Sequence, residues 1–434
     1  MTDTTPKNTG PARPAILFDD GKGTLAPLTD LRPAFHVRTG ALTNAERMTR
    51  ALHLEVVAVA VPGPMIELAS DQHGVPVNQP PKETPARPIL LLNGRLALPI
   101  PEIEALTPGQ VLAEEESGDM VAALLTPNDC NQFLTGGNPP MEHAMLDRRV
   151  LMHRPWSWRD TRDACLDLDL RLLSGTPKTN NIPEGVTVIG KHAVHIHPTA
   201  HLAPTVVLDA THGPIHLDEN SVVRPLAIIR GPAYIGPGST VLDHALIKEH
   251  TAIGPVCKVA GEVGGTIFQG YSNKAHAGHL GDSWVGEWVN LGADTTNSNL
   301  LNTYSHVLLR PSHDAKHEDT GHQFLGATIG DHTKTAIGTR IGTGTIFGTG
   351  TMYAASAMTG GTSGVTHPFA WITDAGIKAY RIGKFVEVAL EAMTRRSVHQ
   401  SQAYARRLTV LHETATGEAA FDWPGKDKSH LQSS

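Results

Sequence analysis

From about Val186 to residue 350 an aliphatic residue, commonly followed by glycine, returns every six positions or at a near multiple. The series runs Ile189-Gly190, Ile196, Leu202, Leu208, Ile235-Gly236, Val241, Ile247, Ile253-Gly254, Val285-Gly286, Leu291-Gly292, Ile329-Gly330, Ile337-Gly338 and Ile341-Gly342. A small residue often follows four places on, as at Ala193, Ala200, Val206, Ser239, Ala245 and Val289. This is the hexapeptide repeat of a parallel β-helix, in which the aliphatic side chain points inward and glycine relieves the corner. Three hexads close one triangular coil, so Ile235 and Ile253 should stack one above the other. The segment has room for about eight or nine coils, less whatever loops consume.

A solenoid has no packing reason to break its own beat, so the interruptions draw attention. Glu262 to Leu280 is expected to be one insertion and Asn302 to Leu325, with SHDAKHEDTGHQ, a second. After Met352 the beat stops, a Gly-rich loop follows over Gly360 to Gly364, and Ile377 to Leu411 reads as one or two amphipathic helices. Arg395, Arg396, Arg406 and Arg407 suit a solvated face, a neighbouring subunit or an anionic ligand.

The front of the chain is built differently. About the first 13 residues carry no apolar pattern and are expected to be disordered. AILFDD (Ala15 to Asp20) is a short apolar strand ending in two carboxylates. A Gly-containing loop and an amphipathic helix follow, with Thr43 and Glu46 spaced as a capping box, which is the opening of an α/β unit. Gly21 and Gly23 would let backbone N–H groups approach an anion, and Arg32 and Arg38 offer planar donors to phosphate. The plain alternative is a βα turn with surface arginines. Val56 to Pro62 and Ile89 to Pro99 are buried-strand runs, Glu114-Glu115-Glu116 reads as a solvated acidic patch, and Trp156 to Leu173 as a linking helix. Expected domains are 14–180 (α/β), 186–354 (β-helix) and 375–415 (C-terminal helical segment).

Composition narrows function. A net charge of −7 gives no basic field for nucleic acid, so a small-molecule substrate is expected. The three cysteines, Cys130, Cys165 and Cys257, are too few and too scattered for a disulfide framework, which suits a reducing cytoplasm. No run reaches the length of a membrane span, and no membrane partner is expected.

The polar residues suited to chemistry concentrate in GYSNKAHAGHLGDSWVGEWVNLGADTTNSN, from Gly270 to Asn299. Together with LAPLTDLRPAFHVRTGALT and IGDHTKTAIGTRIGTGT, this stretch resembles the family of bifunctional UDP-N-acetylglucosamine diphosphorylase / glucosamine-1-phosphate N-acetyltransferase enzymes. The likeness is to a divergent bacterial branch of sugar nucleotidyltransferases and covers nearly the whole chain. It implies an α/β nucleotidyltransferase-like domain followed by a left-handed parallel β-helix with terminal α-helices. Such a protein would make an activated nucleotide sugar for cell-envelope polysaccharide from a sugar 1-phosphate and a nucleoside triphosphate, with acetyl-CoA as co-substrate.

The family's acetyltransferase half carries a KAGH-L-x-x-LGD-x-x-x-G-x-x-VN-x-GAG pattern. Counting back from Leu280-Gly281-Asp282 puts His276 at the catalytic place and His279 where the family has a substrate-binding tyrosine. Asn290 and Asn299 match two asparagines that bind sugar and orient the catalytic histidine. The glycine before the histidine is absent here, and Asp294 replaces another glycine, which puts the sugar's identity in question more than the reaction. The chemistry also stands alone, because a neutral imidazole can take the proton of an amine as it attacks a thioester. Lys274, Arg230 and Lys258 could pair with a sugar phosphate. The resemblance further implies a homotrimer with sites between subunits, and a CoA track at Lys334 and 336–353.

In the front half, the family's GxGTRxxPxxxxxPK signature is kept at Gly21, Gly23, Thr24 and Pro27, without the Arg after Thr or the final Lys. Arg32 or Arg38 could stand in for these, and Asp19 or Asp20 could hold Mg²⁺ for nucleotidyl transfer. Two readings stay open, active nucleotidyl transfer or a degenerate domain beside an acyltransferase. Two further classes compete, a zinc-dependent carbonic anhydrase-like β-helix using His313, His317 and His322, and a non-catalytic trimeric scaffold.

Overall fold

The computed structural model describes residues 10–417 except 84, 138, 180, 360–363 and 400. Residues 1–9 of the N-terminal stretch and most of the Gly360–Gly364 loop therefore lie outside the described residues. The chain divides into two compact units. The first comprises residues 1–23, 32–37 and 42–153, and the second 24–31, 38–41 and 154–434. The division at 153/154 precedes the helix that the sequence reading placed ahead of a boundary near 180.

The first unit is a six-stranded sheet in the order β2-β1-β3-β5-β4-β6. Its strands are β1 (Arg13–Phe18), β2 (Leu54–Ala60), β3 (Ile89–Asn93), β4 (Gln110–Glu114), β5 (Met120–Leu125) and β6 (Glu142–Leu146). β1 lies parallel to β2 and β3, while β5 runs antiparallel to β3 and β4. Continuous apolar runs such as Ile89 to Leu92 are buried along their whole length, as strands covered on both faces must be. Helix α1 (Asn44–Ala51) starts at the expected capping box, Thr43 accepting from the Glu46 N–H and Glu46 accepting from the Thr43 N–H. Helices α2 (Ile66–Gln72) and α3 (Pro127–Leu134) complete the unit. Ile16, Phe18, Ile89, Leu91, Val111, Leu125 and Cys130 form the core.

The second unit is the left-handed parallel β-helix with terminal helices. One face has six strands, from Thr187–Gly190 to His279–Gly281, and a second has eight, from Val194–Ile196 to Ile346–Phe347. Among the described residues a parallel bridge from Ile346 to Val365 extends these eight strands, in keeping with eight or nine coils, and Ile235 pairs with Ile253 as the repeat requires. Leu217, Ile235, Ile253, Val285, Ile329 and Phe347 belong to one core running through the solenoid. At the corners, inward serines replace the missing ladder bonds. Ser239 Oγ donates to Gly254 O (2.7 Å) and accepts from Cys257 N (2.9 Å), and Ser272 makes the same pair with Gly286 O and Val289 N.

Some details depart from the sequence reading. Val188, not Ile189, pairs with the inward Leu208, and Ile337 is 80% exposed at a corner. Asn302 to Leu325 does leave the coil, carrying a small antiparallel pair, Leu308–Leu309 with Glu318–Asp319. Glu262 to Leu280 does not, since its strands pair in register with the coils on either side. It looked like an insertion because the coil shortens there, Ala252 pairing with Ile267 and Lys258 with Asn273 only 15 positions on, which breaks the six-residue beat.

Helix α4 (Ser157–Leu172), read from sequence as a linker, belongs to the second unit and covers the eight-stranded face. The outward residues of that face, His216, Tyr234, Ala252, Ile267 and Trp284, are all buried. Arg162 Nη1 donates to Gly265 O (2.5 Å) and Asp282 Oδ1 (2.7 Å), and Trp158 Nε1 donates to Thr328 Oγ1 (3.3 Å). Trp158 is fully buried. Trp158→Phe should lower the stability of this unit by about 2 kcal/mol through the lost hydrogen bond and the void, read from a denaturant titration. Past the coils, a hairpin (Ala370–Thr373 with Gly376–Ala379) precedes α5 (Ile382–Thr394) and α6 (Gln402–Gly417). Among the described residues no helix is long and apolar enough to cross a membrane.

Candidate active site

The third face of the solenoid positions the site. Along it, strand alternation sends Lys258, Asn273, Asn290 and Lys334 outward on consecutive rungs, since Lys258 pairs with Asn273, Asn273 bridges to Asn290 and Asn290 to Lys334. Rung spacing makes this row about 14 Å long. It floors a cleft of about 930 Å³ whose other wall is α5. Lys384, Glu387, Glu391 and Arg395 line that wall at helical spacing, so one stripe of the helix faces the cleft. The end of the helix is tied down by Arg396, which donates to Asn273 Oδ1 (2.6 Å) and Val256 O (3.3 Å).

His276 sits at the corner after strand Asn273–Lys274, exposed, with its residue lining the cleft. Among the described residues nothing hydrogen-bonds its ring. Lys334 is half-buried and, among the described residues, its ammonium has no hydrogen bond or ion pair; burial holds it below the ordinary lysine range. Tyr271 and Trp288 close one end, stacked with centroids 4.5 Å apart. The cleft thus combines an unengaged imidazole, an apolar aromatic end and a surplus of cations, which suits an anionic ligand and proton transfer.

Of the residues singled out by sequence, His276, Lys258, Asn290 and Lys334 come together here. Arg230, His279 and Asn299 do not line this cleft. Arg230 and His279 lie on the six-stranded face, where His279 Nδ1 is 3.4 Å from Glu262 Oε1. Asn299 donates to Asp282 Oδ2 (2.8 Å). His279 and Asn299 both lie against Gly281, which leaves room for them. A Cβ there would lie 2.6 Å from His279 Nε2 and 2.7 Å from Asn299 Nδ2. Lys274 points into the coil and is 2% exposed. Arg395 and Arg396, read in sequence as suiting an anionic ligand among other uses, do line the cleft, whereas Tyr271, Trp288, Lys384, Glu387 and Glu391 went unread; the 384/387/391/395 spacing was the available signal.

In the first unit the loop after β1 is held by its own carboxylates. Asp19 accepts from Gly21 N (2.9 Å) and Ala34 N (2.7 Å), and burial raises its pKa. Asp20 accepts from Lys22 N (3.0 Å), Asn93 Nδ2 (2.9 Å) and Arg95 Nε and Nη2 (2.9 and 2.7 Å). Arg95, itself buried, also donates to Asp119 Oδ2 (2.6 Å), and Lys22 Nζ to Asp119 Oδ1 (2.7 Å). All four oxygens of Asp19 and Asp20 accept from donors of the chain, and on Asp20 the Arg95 guanidinium stands where a cation would bind.

Gly21 and Gly23 have the expected left-handed backbone, φ +64° and +77°. Arg32 is buried in the first unit. Thr24 and Arg38 belong to the second, where Arg38 donates to the Gln269 and Ala41 carbonyls.

Glu115 and Glu116 are exposed as the solvated-patch reading expects, and Glu114 departs from it. It is fully buried and accepts from His153 (2.7 Å), Val150 N (2.6 Å), Leu151 N (2.7 Å) and Ser117 (2.8 Å). Burial pulls its pKa upward, but these donors outweigh it and hold the carboxyl at about 2.

Nor do the loop histidines converge on a metal. His322 pairs with Asp160 (2.7 Å) and His313 with Asp314 (3.1 Å). Among the described residues no group of three or more His, Cys, Asp or Glu is arranged to hold an ion.

Comparison with known proteins bears on part of the chain. Residues 15–176 match the family model "Sugar nucleotidyl transferase". Bifunctional protein GlmU of Rippkaea orientalis is 27% identical over 31% of this chain and 34% of its own length. That of a Cyanothece species is 29% identical over 31% and 34%. That of Acaryochloris marina is 27% identical over 39% and 42%. The chain thus spans about a third of the length of the first curated relatives it matches.

Among solved structures, a Bacillus cereus acetyltransferase-type protein is 12% identical over 53% of this chain and 98% of its own, TM-score 0.16. A mutant of perosamine N-acetyltransferase from Caulobacter crescentus, in complex with CoA and GDP-perosamine, is 12% identical over 85% and 97%, TM-score 0.14. Scores this low carry no argument. Residues 15–176 match the sugar nucleotidyl transferase model, and about a third of the chain is distantly similar to the bifunctional GlmU proteins.

Proposed function

We propose that the second unit transfers an acetyl group from acetyl-CoA to the amine of an amino-sugar phosphate, with His276 as general base. The observation that carries this is the cleft itself, an unengaged imidazole beside the row of Lys258, Asn273, Asn290 and Lys334 on rigid coil. His276 takes the proton from the attacking nitrogen and, as the thioester carbon–sulfur bond breaks, returns it to the sulfur so that CoA leaves as the thiol. Lys258 and Arg395 hold the sugar phosphate, and Asn290 orients the sugar. Lys334 meets a CoA phosphate, with the CoA extended along the coils over 336–353. A homotrimer accounts for the residues left on other faces. Arg230, His279 and Asn299 would then face a neighbouring protomer's cleft, and Lys274 supports the site from inside the coil.

Two results test the reading. Titration calorimetry should show acetyl-CoA binding that weakens about tenfold or more in Lys334→Ala, the loss of one charged hydrogen bond. Unchanged affinity in that variant, or no binding by the parent, counts against it.

For the first unit, the resemblance implies nucleotidyl transfer from a nucleoside triphosphate to a sugar 1-phosphate, with Gly21, Gly23 and Arg32 among the expected phosphate contacts. The carboxylate–Arg95 cage favours the second reading, an acyltransferase whose front unit does not transfer nucleotides. Pyrophosphate release from UTP or dTTP with sugar 1-phosphates decides between them, release supporting the first and silence beside an active second unit the second. The product's use in a soluble cytoplasmic route to cell-envelope polysaccharide belongs to the same proposal.

A further inference from the structure

Lys274 occupies an inward slot of the third face. Its column runs Leu202, Val223, Val241, Val259 and then Lys274, each paired with the next. A cation there is expensive to bury unless its donors are satisfied, and an aliphatic side chain would fill the slot without that cost. All three ammonium protons are in fact used. Nζ donates to Ala260 O (3.3 Å), His276 O (2.6 Å) and Ala277 O (3.0 Å). The desolvation shows in its pKa, pushed down to about 8.

Two of those acceptors are the carbonyls of the corner that bears His276. Packing leaves that corner little alternative, because Gly278 has φ +110° and a Cβ on Gly261 would lie 2.6 Å from Gly278 O and 3.1 Å from His276 O. The carbonyls turn inward to the ammonium, and the imidazole is left outside at the cleft.

We infer that Lys274 is a positioning residue, whose ammonium inside the coil fixes the corner that presents His276 to the cleft. What the presented ring does rests on the acetyl-transfer reading, whereas the tether itself does not. Removing the ammonium leaves two inward carbonyls without a donor, and the corner must rotate to find one. A displacement of about 1 Å at a reacting group costs up to about 10²-fold in rate.

The test is Lys274→Met, which keeps an unbranched side chain in the apolar column, with Lys274→Arg beside it. In Lys274→Met, amide exchange at residues 275–278 should quicken and the ring signals of His276 should shift. The kcat for acetyl transfer should fall about 10- to 100-fold with KM for acetyl-CoA unchanged and the melting temperature held. Lys274→Arg should recover part of the loss. Unaltered exchange and ring signals in Lys274→Met would overturn the inference, as would a kcat loss that merely tracks a lower melting temperature. If the parent transfers no acetyl group, the acetyl-transfer reading fails while exchange and ring signals still decide the tether.

Discussion

Replacing His276 with alanine is expected to lower kcat for acetyl transfer about 10²- to 10⁴-fold, the usual worth of a positioned general base. The KM for acetyl-CoA should hardly move, because the ring stands at the corner and the row from Lys258 to Lys334 floors the cleft. An amine that is deprotonated in solution needs the base less, so the deficit should shrink as assay pH rises toward the pKa of the amine. Steady-state kinetics of both proteins over a pH series would check both statements. A variant that keeps the parental kcat removes His276 from the mechanism.

Arg95→Ala is expected to destabilise the first unit by about 3–5 kcal/mol, the cost of removing one partner from a buried ionic network. Asp20 and Asp119 would each lose the guanidinium that faces them. The sign of the pH dependence follows from Asp119. Burial raises its pKa, but hydrogen bonds from Lys22 and Arg95 outweigh this and leave it below the ordinary aspartate range. A carboxyl with a depressed folded-state pKa contributes stability that is present above its unfolded value and lost as pH falls through the folded one. The gap between parent and variant should therefore be full near neutrality and close as the solution is acidified below about pH 4. Glu114 behaves alike over a wider window, its contribution being lost between about 4.5 and about 2. Denaturant titrations at several pH values measure this, and a gap that widens in acid would contradict it.

The solenoid was legible in sequence because its signal is long and periodic. Ile235 over Ile253 follows directly from a six-residue beat and a three-sided coil. The beat became unreadable where an inward slot carries a polar side chain satisfied locally, as Lys274 is by three carbonyls and Asn297 by Gly281 and Ser283. Together with coils shortened to 15 residues, as between Lys258 and Asn273, the Lys274 slot made an in-register segment look like an insertion.

The site was half legible. His276, Lys258, Asn290 and Lys334 share one face because rung pairing brings together residues 76 positions apart in number, which no local pattern reports. The α5 wall was hidden for the same reason. Glu114 read as solvent-exposed because its partners, Val150, Leu151 and His153, arrive from a distant segment. Arg38 looked like a free phosphate ligand, and nothing in its neighbours announced that its donors go to main-chain carbonyls.

The central claim is that the cleft beside His276 transfers acetyl groups, and thiol release tests it most directly. Parent and His276→Ala proteins are incubated with acetyl-CoA and each of a panel of amino-sugar 1-phosphates, and free CoA is followed over time. The account predicts amine-dependent release by the parent with at least one sugar and about 10²- to 10⁴-fold slower release by the variant. No amine-dependent release with any sugar, or equal rates for the two proteins, would contradict it.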